Sequence, residues 1–441
     1  MKTKVLILLF FSAANLLHAQ RSLRLSVGDP ARKDKEAKVV LDAITDTATG
    51  DLITPREAVA RLSGARLIFI GESHTSMDFH RVQKRLIEEL HRAGEKVLIG
   101  LEMYPYTEQK YLDDWHAGFL SETGFVRLSH WYKNWGYHWN YYRDIFLFAR
   151  DNGIRMFALN APREVVSAVG KKGLENLTPT ERGQIAPTID IASEEHFTLF
   201  KAFFEDETGM HSMMSDSQAR SMFAAQCTWD ATMGFHAVEA LKAYGDDNGV
   251  MVVLIGSGHV AYGLGIQRQS AQWYDGRMAS VIPIQVLDDQ GRKIESVQAS
   301  YADYLWGLPP EEESLFPELG ISTAEVSGES RRRVLAVSTG SPAKTAGFQA
   351  GDVMVSVDGI PLPDGETLNQ AMAAKRWGDS AVFVVRRQAK DRAPEEVTLT
   401  VLFRRQPPRA FLLRPFVARR CLDRSEDHSL LDAGKSARYV W

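Results

Sequence analysis

The sequence has few cysteines for its length and, beyond its first residues, no long hydrophobic run. Two cysteines among 441 residues exclude a disulfide framework, and we expect two free thiols. No later run approaches the ~20 apolar residues that a membrane-spanning helix needs. The formal net charge of -4 gives no reason to expect a nucleic acid as a partner. The composition therefore indicates an ordinary globular protein.

The N-terminus predicts a secretory signal peptide over residues 1–19. Lys2 and Lys4 precede a short apolar stretch from Val5 to Leu17, and cleavage is expected after Ala19. The stretch is too short to cross a bilayer as a helix. We therefore expect a secreted chain that resides in the periplasm.

Short apolar strands alternate with amphipathic helices over residues 20–308. The strands are predicted at residues 66–70, 97–101, 154–159, 250–255 and 281–286. Fully apolar strands bounded by glycine are typical of strands that are buried on both faces. This alternation predicts an α/β domain with a largely parallel central sheet flanked by helices.

The composition of the sequence changes after residue 308. Residues 309–315, which include two prolines and three glutamates, predict a stiff acidic linker. Residues 316–405 predict short strands and one helix, from Thr367 to Lys375, and therefore a small β-rich domain. Residues 406–441 contain a basic cluster and predict a poorly ordered tail.

Polar side chains follow the buried strands where the strands end. Two strands run into Gly-x-x-His, at Gly71-Glu72-Ser73-His74 and at Gly256-Ser257-Gly258-His259. Because the carboxyl ends of parallel strands meet at one edge of a sheet, we expect both histidines at one site. The other strand ends contribute Glu102, Asn160 and Arg163.

Imidazole and carboxylate groups are the usual ligands of zinc and similar divalent ions. We predict that His74, His259 and Glu72 bind a metal ion. We also predict that Glu72 or Glu102 acts as the catalytic base toward metal-bound water, and we place His80 in the same pocket. The alternative is that these are polar loop residues that satisfy backbone groups at helix N-termini.

An aromatic stretch at residues 130–142 bears on the cofactor. Trp131, Trp135 and Trp139 recur at every fourth position, on one face of a helix. Flat aromatic walls with a tyrosine or histidine ligand suit a porphyrin. Tyr104 is a candidate axial ligand, and His138 is a candidate residue of the same pocket. The alternative is a helix whose aromatic face packs into the core.

Five short motifs follow one another along residues 40–290. They are Gly71-Glu72-Ser73-His74, Leu101-Glu102-Met103, Leu159-Asn160-Ala161-Pro162, Gln226-Cys227-Thr228-Trp229-Asp230 and Gly256-Ser257-Gly258-His259. Together they resemble the ChaN family of the haem-binding-uptake, Tiki and erythromycin-esterase-like superfamily. The resemblance implies a shared site at Glu72, His74, Glu102 and His259. It implies haem binding for ChaN-like members, metal-dependent proteolysis for Tiki-like members and lactone ester hydrolysis for others.

A second resemblance covers about residues 316–405. Gly340-Ser341-Pro342-Ala343, the stretch from Ala346 to Met354 and Val357-Asp358-Gly359 resemble bacterial PDZ domains. This implies a carboxylate-binding loop, with a peptide added beside the strand that follows it. The loop residues are Leu319, Gly320 and Ile321. The alternative is an empty groove in a domain that only docks on its neighbour.

Three hypotheses about function follow from the sequence. The first is an exported protein of iron or haem acquisition that binds haem or a divalent metal ion at the strand ends. In this hypothesis the PDZ-like domain takes the C-terminal peptide of a partner. The second is a metal-dependent protease or esterase to which this domain presents peptide. The third is a PDZ scaffold with a vestigial site. The sequence allows a homodimer.

Overall fold

The computed structural model describes residues 21–208, 215–288, 291–311, 314–326, 331–388 and 393–405. The predicted signal peptide, the predicted basic tail and Cys421 lie outside these residues. Cys227 is a free, buried thiol. The described residues up to Arg405 belong to one compact unit.

Strands and helices alternate along the first 308 residues. The strands are β1 (Glu36–Lys38), β2 (Ile44–Asp46), β3 (Leu52–Ile53), β4 (Leu67–Glu72), β5 (Lys96–Pro105), β6 (Arg155–Asn160), β7 (Gly249–Gly256), β8 (Met278–Gln285), β9 (Ser296–Gln298) and β10 (Tyr304–Leu308). The helices are α1 (Pro55–Leu62), α2 (Met77–Arg92), α3 (Gln109–His116), α4 (Glu122–Leu128), α5 (Trp131–Asn134), α6 (Arg143–Asp151), α7 (Arg163–Lys172), α8 (Pro179–Arg182), α9 (Glu194–Thr208), α10 (Asp216–Tyr244), α11 (Ser257–Val260) and α12 (Ile266–Ser270).

The main sheet has eight strands in the order β3-β2-β10-β8-β4-β7-β5-β6. All neighbours from β10 to β6 run parallel, whereas β2 and β3 add an antiparallel edge. In the centre, β4 pairs with β7 in a register that sets Glu72 beside Gly256. The two Gly-x-x-His motifs therefore begin at adjacent positions on one edge. The predicted α/β class with a largely parallel sheet is confirmed.

Burial explains why the central strands are so apolar. Every residue of β4 and β7 is buried, because helices cover both faces of the sheet. On one face, α2 packs Leu86, Ile87 and Leu90 into the core. The first helix, α1, begins with a capping box between Thr54 and Glu57, as its sequence indicates.

The C-terminal region forms a separate antiparallel sheet. Its strands are β11 (Ile321–Glu325), β12 (Arg332–Val337), β13 (Val353–Val357), β14 (Ile360–Pro361), β15 (Ser380–Arg387) and β16 (Glu395–Leu402), and its helices are α13 (Pro342–Ala346) and α14 (Gly365–Ala373). The order is β11-β12-β13-β15-β16, with β14 paired to β13. This sheet has its own apolar core around Phe348 and Phe383. The predicted small β-rich domain is confirmed, and β11 lies at the edge of its sheet.

Residues 130–142, the aromatic segment, do not form one continuous helix. Helix α5 ends at Asn134, Gly136 adopts a φ of 93°, and a short 3₁₀ turn follows at Trp139–Tyr141. A positive φ is a conformation that glycine adopts readily, so the chain changes direction there. Trp131, Trp135 and Trp139 are nevertheless all buried in the main core. The structure therefore supports the core interpretation of these tryptophans.

Candidate active site

The two histidines that follow β4 and β7 lie on either side of Gly256. A Cβ atom added to Gly256 would be 3.5 Å from Nε2 of His74 and 3.6 Å from Cδ2 of His259. Their side chains are 14% and 9% exposed. The parallel sheet thus brings together two imidazoles that are far apart in sequence and largely shielded from water.

Glu72 orients the His74 ring from behind. Nδ1 of His74 donates to Oε1 of Glu72 at 2.8 Å, and the Tyr142 hydroxyl donates to the same oxygen at 2.6 Å. The Gln83 amide donates to Oε2 at 2.7 Å. Because the Glu72 carboxylate has these partners and its side chain is fully buried, it fixes the ring rather than facing a ligand. Nε2 of His74 is left to meet a ligand.

The second histidine lies between two carboxylates. Nδ1 of His259 donates to Oδ1 of Asp230 at 2.5 Å, and its Nε2 lies 3.4 Å from Oε1 of Glu102. The backbone N–H of Gly256 donates to Oε2 of Glu102 at 2.7 Å. The Gln226 amide nitrogen lies 2.9 Å from Nδ1 of His259. Glu102 is therefore held between β7 and His259, and its charge also acts on His74.

Carboxylates and imidazoles alternate across the site, and the alternation sets their charges. Burial alone would lower the pKa of His74, but Glu72 and Glu102 outweigh it and raise that pKa. At His259, burial again lowers the pKa, but Asp230 and Glu102 outweigh it. The pKa of His259 rises to about 10. Burial would raise the pKa of Glu102, but His259 and His74 lower it. The electrostatics of the site therefore favour the ionised form of Glu102 and the protonated forms of the two imidazoles.

Three other predicted residues support this site from its margins. His80 is buried behind Glu72, where its ring nitrogens contact the Gln83 amide oxygen at 3.0 Å and the His74 carbonyl at 3.2 Å. The amide of Asn160 donates to the Glu102 carbonyl at 2.9 Å. Arg163 donates to the Asn134 carbonyl at 2.5 Å, and burial lowers its pKa to about 10.

The structure does not bring the other two candidates, Tyr104 and His138, into the pocket. Tyr104 is fully buried in the aromatic core, and its hydroxyl pairs with Ser129 at 2.7 Å. Nε2 of His138 donates to the Ala373 carbonyl, and its Nδ1 accepts from the Asn140 N–H. The positions of these residues in the sequence cannot show that both side chains already form hydrogen bonds outside the site.

The metal-binding role predicted for His74, His259 and Glu72 stays a prediction. No group of three or more histidine, cysteine, aspartate or glutamate side chains within the described ranges is arranged to hold a metal ion. The physical reason is the pairing described above, since Glu72 points at the back of His74 and Asp230 occupies Nδ1 of His259. The two rings flank the pocket without sharing a carboxylate ligand.

The sequence interpretation did not identify Asp230, Gln226 and Tyr142 as site residues. Asp230 and Gln226 are four positions apart on α10, and this spacing puts both on the face that meets His259. That spacing, within a motif already noted, could have singled them out. Tyr142 lies in the aromatic segment, and no local pattern distinguishes it from its core neighbours.

The predicted carboxylate loop lies at the start of the edge strand β11. The Leu319 carbonyl accepts from the Ala343 N–H at 3.0 Å, and the Gly320 carbonyl accepts from the Ser338 N–H at 2.9 Å. Gly320 has a φ of 76°, and a Cβ there would meet Ser341. Ile321 is the first residue of β11. Backbone hydrogen bonds to the Leu319 and Gly320 carbonyls therefore hold the loop in place.

Glu318, just before this loop, lies beside Thr75, the residue that follows His74. Its carboxyl group shares a hydrogen bond with Thr75 and lies near Glu311. The residue as a whole is half-buried, but its Oε1 is shut off from solvent and has no hydrogen-bond partner within the described ranges. Burial raises the pKa of Glu318 from 4.5 to about 7.

We expect Glu318→Gln to stabilise the protein at pH 8 by about 1–2 kcal/mol. The folded state holds the carboxyl proton more tightly than the unfolded state, so stability falls as the pH rises from 4.5 to about 7. Glutamine stays neutral, so the gain should vanish near pH 4.5. Denaturant unfolding at both pH values measures it, with Glu325→Gln, an exposed carboxylate of β11, as the control. Equal effects of the two variants would contradict the prediction.

Within the described ranges, no helix is both long enough and apolar enough to cross a bilayer. Among curated proteins, the chain is similar to Protein RETICULATA-RELATED 5, chloroplastic, of Arabidopsis thaliana. The two are 24% identical over 261 residues, which are 56% of this chain and 34% of the relative. The chain thus spans about a third of the length of that relative.

Solved structures show similarity to both parts of the chain. ChaN of Campylobacter jejuni, solved with cofacial haem, is 16% identical, covering 60% of this chain and 95% of its own, at a TM-score of 0.47. A mutant of the erythromycin esterase EreC, in its open conformation, is 13% identical, covering 57% and 78%, at a TM-score of 0.34. The HtrA-type protease AlgW with a decapeptide is 24% identical, covering 21% and 30%, at a TM-score of 0.18.

Family models match the two parts separately. Residues 58–269 match the model described as haem-binding uptake, Tiki superfamily, ChaN. Residues 317–401 match the model of the PDZ domain. The chain is therefore similar to the ChaN-like family of the haem-binding uptake, Tiki superfamily over residues 58–269, and to PDZ domains over residues 317–401.

Proposed function

We propose that the ChaN-like domain hydrolyses an ester or amide at the His74–Glu102 site. The supporting observation is the alternation of carboxylates and imidazoles around Gly256. Hydrolysis needs one group that takes a proton from water and another that gives a proton to the leaving group. Glu102, which accepts from the Gly256 N–H, and His74, whose Nε2 lies beside Gly256, are placed to supply the two groups.

In this proposal Glu102 is the base and His74 is the acid. Glu102 takes a proton from water as the water oxygen bonds to the carbonyl carbon. Nε2 of His74 gives its proton to the leaving atom as the bond to that carbon breaks. Glu72 acts through His74, because it keeps Nδ1 as a donor and fixes the ring. His259, whose two ring nitrogens face Asp230 and Glu102, holds the Glu102 carboxylate in place.

Haem is the second candidate, because the matching family model is described as haem-binding. The donor chemistry of His74 fits an iron ligand, since a carboxylate holds Nδ1 and leaves Nε2 for the metal. The surrounding space does not fit a porphyrin, because Trp135 and Tyr137 pack on the ring, at centroid distances of 4.8 Å and 4.9 Å. We therefore propose no step through haem.

Turnover and haem titration on the same purified protein separate the two candidates. We expect saturable hydrolysis of at least one member of a panel of p-nitrophenyl esters, lactones and peptide amides. We expect no saturable shift of the haemin Soret band. A saturable Soret shift without turnover would replace hydrolysis by haem binding. Peptide binding with neither signal would leave the scaffold hypothesis.

For the PDZ domain we propose capture of a C-terminal peptide. The peptide would add as a strand beside β11, with its carboxylate at Leu319, Gly320 and Ile321. The edge position of β11 supports this, because an edge strand leaves backbone groups available to an incoming strand. Export to the periplasm is part of the same proposal, and it rests on the basic and apolar N-terminal sequence.

A further inference from the structure

The aromatic segment faces the His74 site on one side. The ring of Trp135 meets the His74 imidazole edge-on, at 4.8 Å and 80°. The ring of Tyr137 lies against the same imidazole at 4.9 Å and 39°. Together with Glu72 behind it, these two rings fix the orientation of His74.

The same segment contacts the PDZ domain on its other side. The Asn369 amide on α14 donates to the Tyr132 carbonyl at 2.9 Å. Nε2 of His138 donates to the Ala373 carbonyl at the end of α14, at 3.1 Å. The His138 ring also stacks on Phe316, with centroids 3.5 Å apart and planes within 4°. The contact therefore combines hydrogen bonds with an aromatic stack.

The turn between Trp135 and Tyr137 links these two sides. Gly136 forms it at a φ of 93°, and a Cβ at this position would lie 3.0 Å from the Asn369 amide nitrogen. Nε1 of Trp131 donates to the Tyr137 carbonyl at 2.7 Å and holds the far side of the turn. The two rings that pack on His74 thus project from a turn that α14 contacts directly. A shift of α14 would therefore move the turn, and with it the two rings that pack on the His74 imidazole.

We propose that the PDZ domain is a positioning element of the first domain's active site. Asn369 contacts the turn of the aromatic segment, Phe316 stacks on His138 in the same segment, and the turn carries Trp135 and Tyr137, which pack on His74. Asn369 of the PDZ domain and Phe316, which directly precedes that domain, act through these rings and touch no reacting atom, so they are positioning residues. The inference rests on the proposed function only for its effect on turnover, since the geometry of His74 can be measured without a substrate.

The test is the variant Asn369→Ala in the full chain. Diethyl pyrocarbonate acylates accessible imidazoles, and tandem mass spectrometry of the peptide from Leu67 to Arg81 distinguishes acylation of His74 from acylation of His80. We expect the rate at His74 to rise about fivefold, the factor that the loss of one ordinary hydrogen bond gives. Asn176→Ala is the matched control, because the Asn176 amide donates to the Lys172 carbonyl at 2.7 Å, away from the aromatic segment. It should leave the rate unchanged.

A spectroscopic signature separates positioning from mere stabilisation. Ring currents of Trp135 and Tyr137 shift the His74 Cε1 proton, and the shift should move toward its free-histidine position in Asn369→Ala and recover in Asn369→Gln. Phe316→Ala is the second variant and should act in the same direction. Unchanged acylation and an unchanged shift in Asn369→Ala, with a normal melting curve, would overturn the inference. If the wild type has no turnover, the proposed hydrolysis fails but these readouts still decide the positioning.

Discussion

The turnover of an ester substrate should fall about 10²- to 10⁴-fold when His74 is replaced by alanine, the range that loss of a positioned acid or base gives. His74 is the imidazole whose Nδ1 is fixed by Glu72 and whose Nε2 faces the pocket. Its removal deletes the proposed proton donor to the leaving group. The ratio kcat/KM for wild type and variant measures the effect.

The fold should survive this change. Glu72 keeps hydrogen bonds from Tyr142 and Gln83 when the imidazole is gone, so its buried charge is not left without donors. His91→Ala is the matched control, because His91 lies in the last turn of α2, at the end remote from the site. Added imidazole should restore part of the turnover of His74→Ala and should not raise the turnover of His91→Ala. A variant that keeps more than about a tenth of wild-type kcat/KM would exclude His74 as the acid.

The largest loss of stability is expected for Trp131→Ala, at about 3–5 kcal/mol. Trp131 is fully buried and meets Tyr142 and Trp139 at centroid distances of 5.4 Å and 4.9 Å. Its removal leaves a large cavity between aromatic rings that cannot close around it. It also removes the Nε1–H bond to the Tyr137 carbonyl. Urea unfolding monitored by far-ultraviolet circular dichroism measures the change.

Trp273→Ala is the control for that measurement. Trp273 is half-buried at the margin of the core on the other face of the sheet, so the same truncation exposes less new cavity. We expect it to lose less than about half as much stability as Trp131→Ala. Equal losses would show that burial of Trp131 does not set its contribution. A haem-wall function of Trp131 predicts instead a small loss of stability together with weakened haem binding.

The placement of the site at one edge of the sheet could be predicted from sequence. The apolar runs before Gly71 and Gly256 have the composition of strands buried on both faces, and parallel strands end at the same edge. That reasoning needs only the apolar runs in the sequence and the right-handed crossover that helices make between parallel strands. It is enough to place Glu72, His74, Glu102 and His259 together.

The partners of those side chains could not be predicted in the same way. Asp230 reaches His259 from α10, and Tyr142 reaches Glu72 from the end of the aromatic segment. Which helix face meets a given strand end depends on packing across the whole domain. Tertiary contacts direct Glu72 and Asp230 at single imidazoles, so no group of three such side chains converges within the described ranges.

By itself the sequence determined the α/β class, the parallel strands and the residue types at their ends, because hydrophobic periodicity and glycine placement are local properties of the chain. Only the tertiary structure decided how each imidazole is paired, that the three tryptophans are core residues, and that α14 of the PDZ domain contacts the segment covering His74. These outcomes depend on contacts between residues distant in the chain. Their geometry is set by the packing of whole elements, which no single stretch of sequence contains.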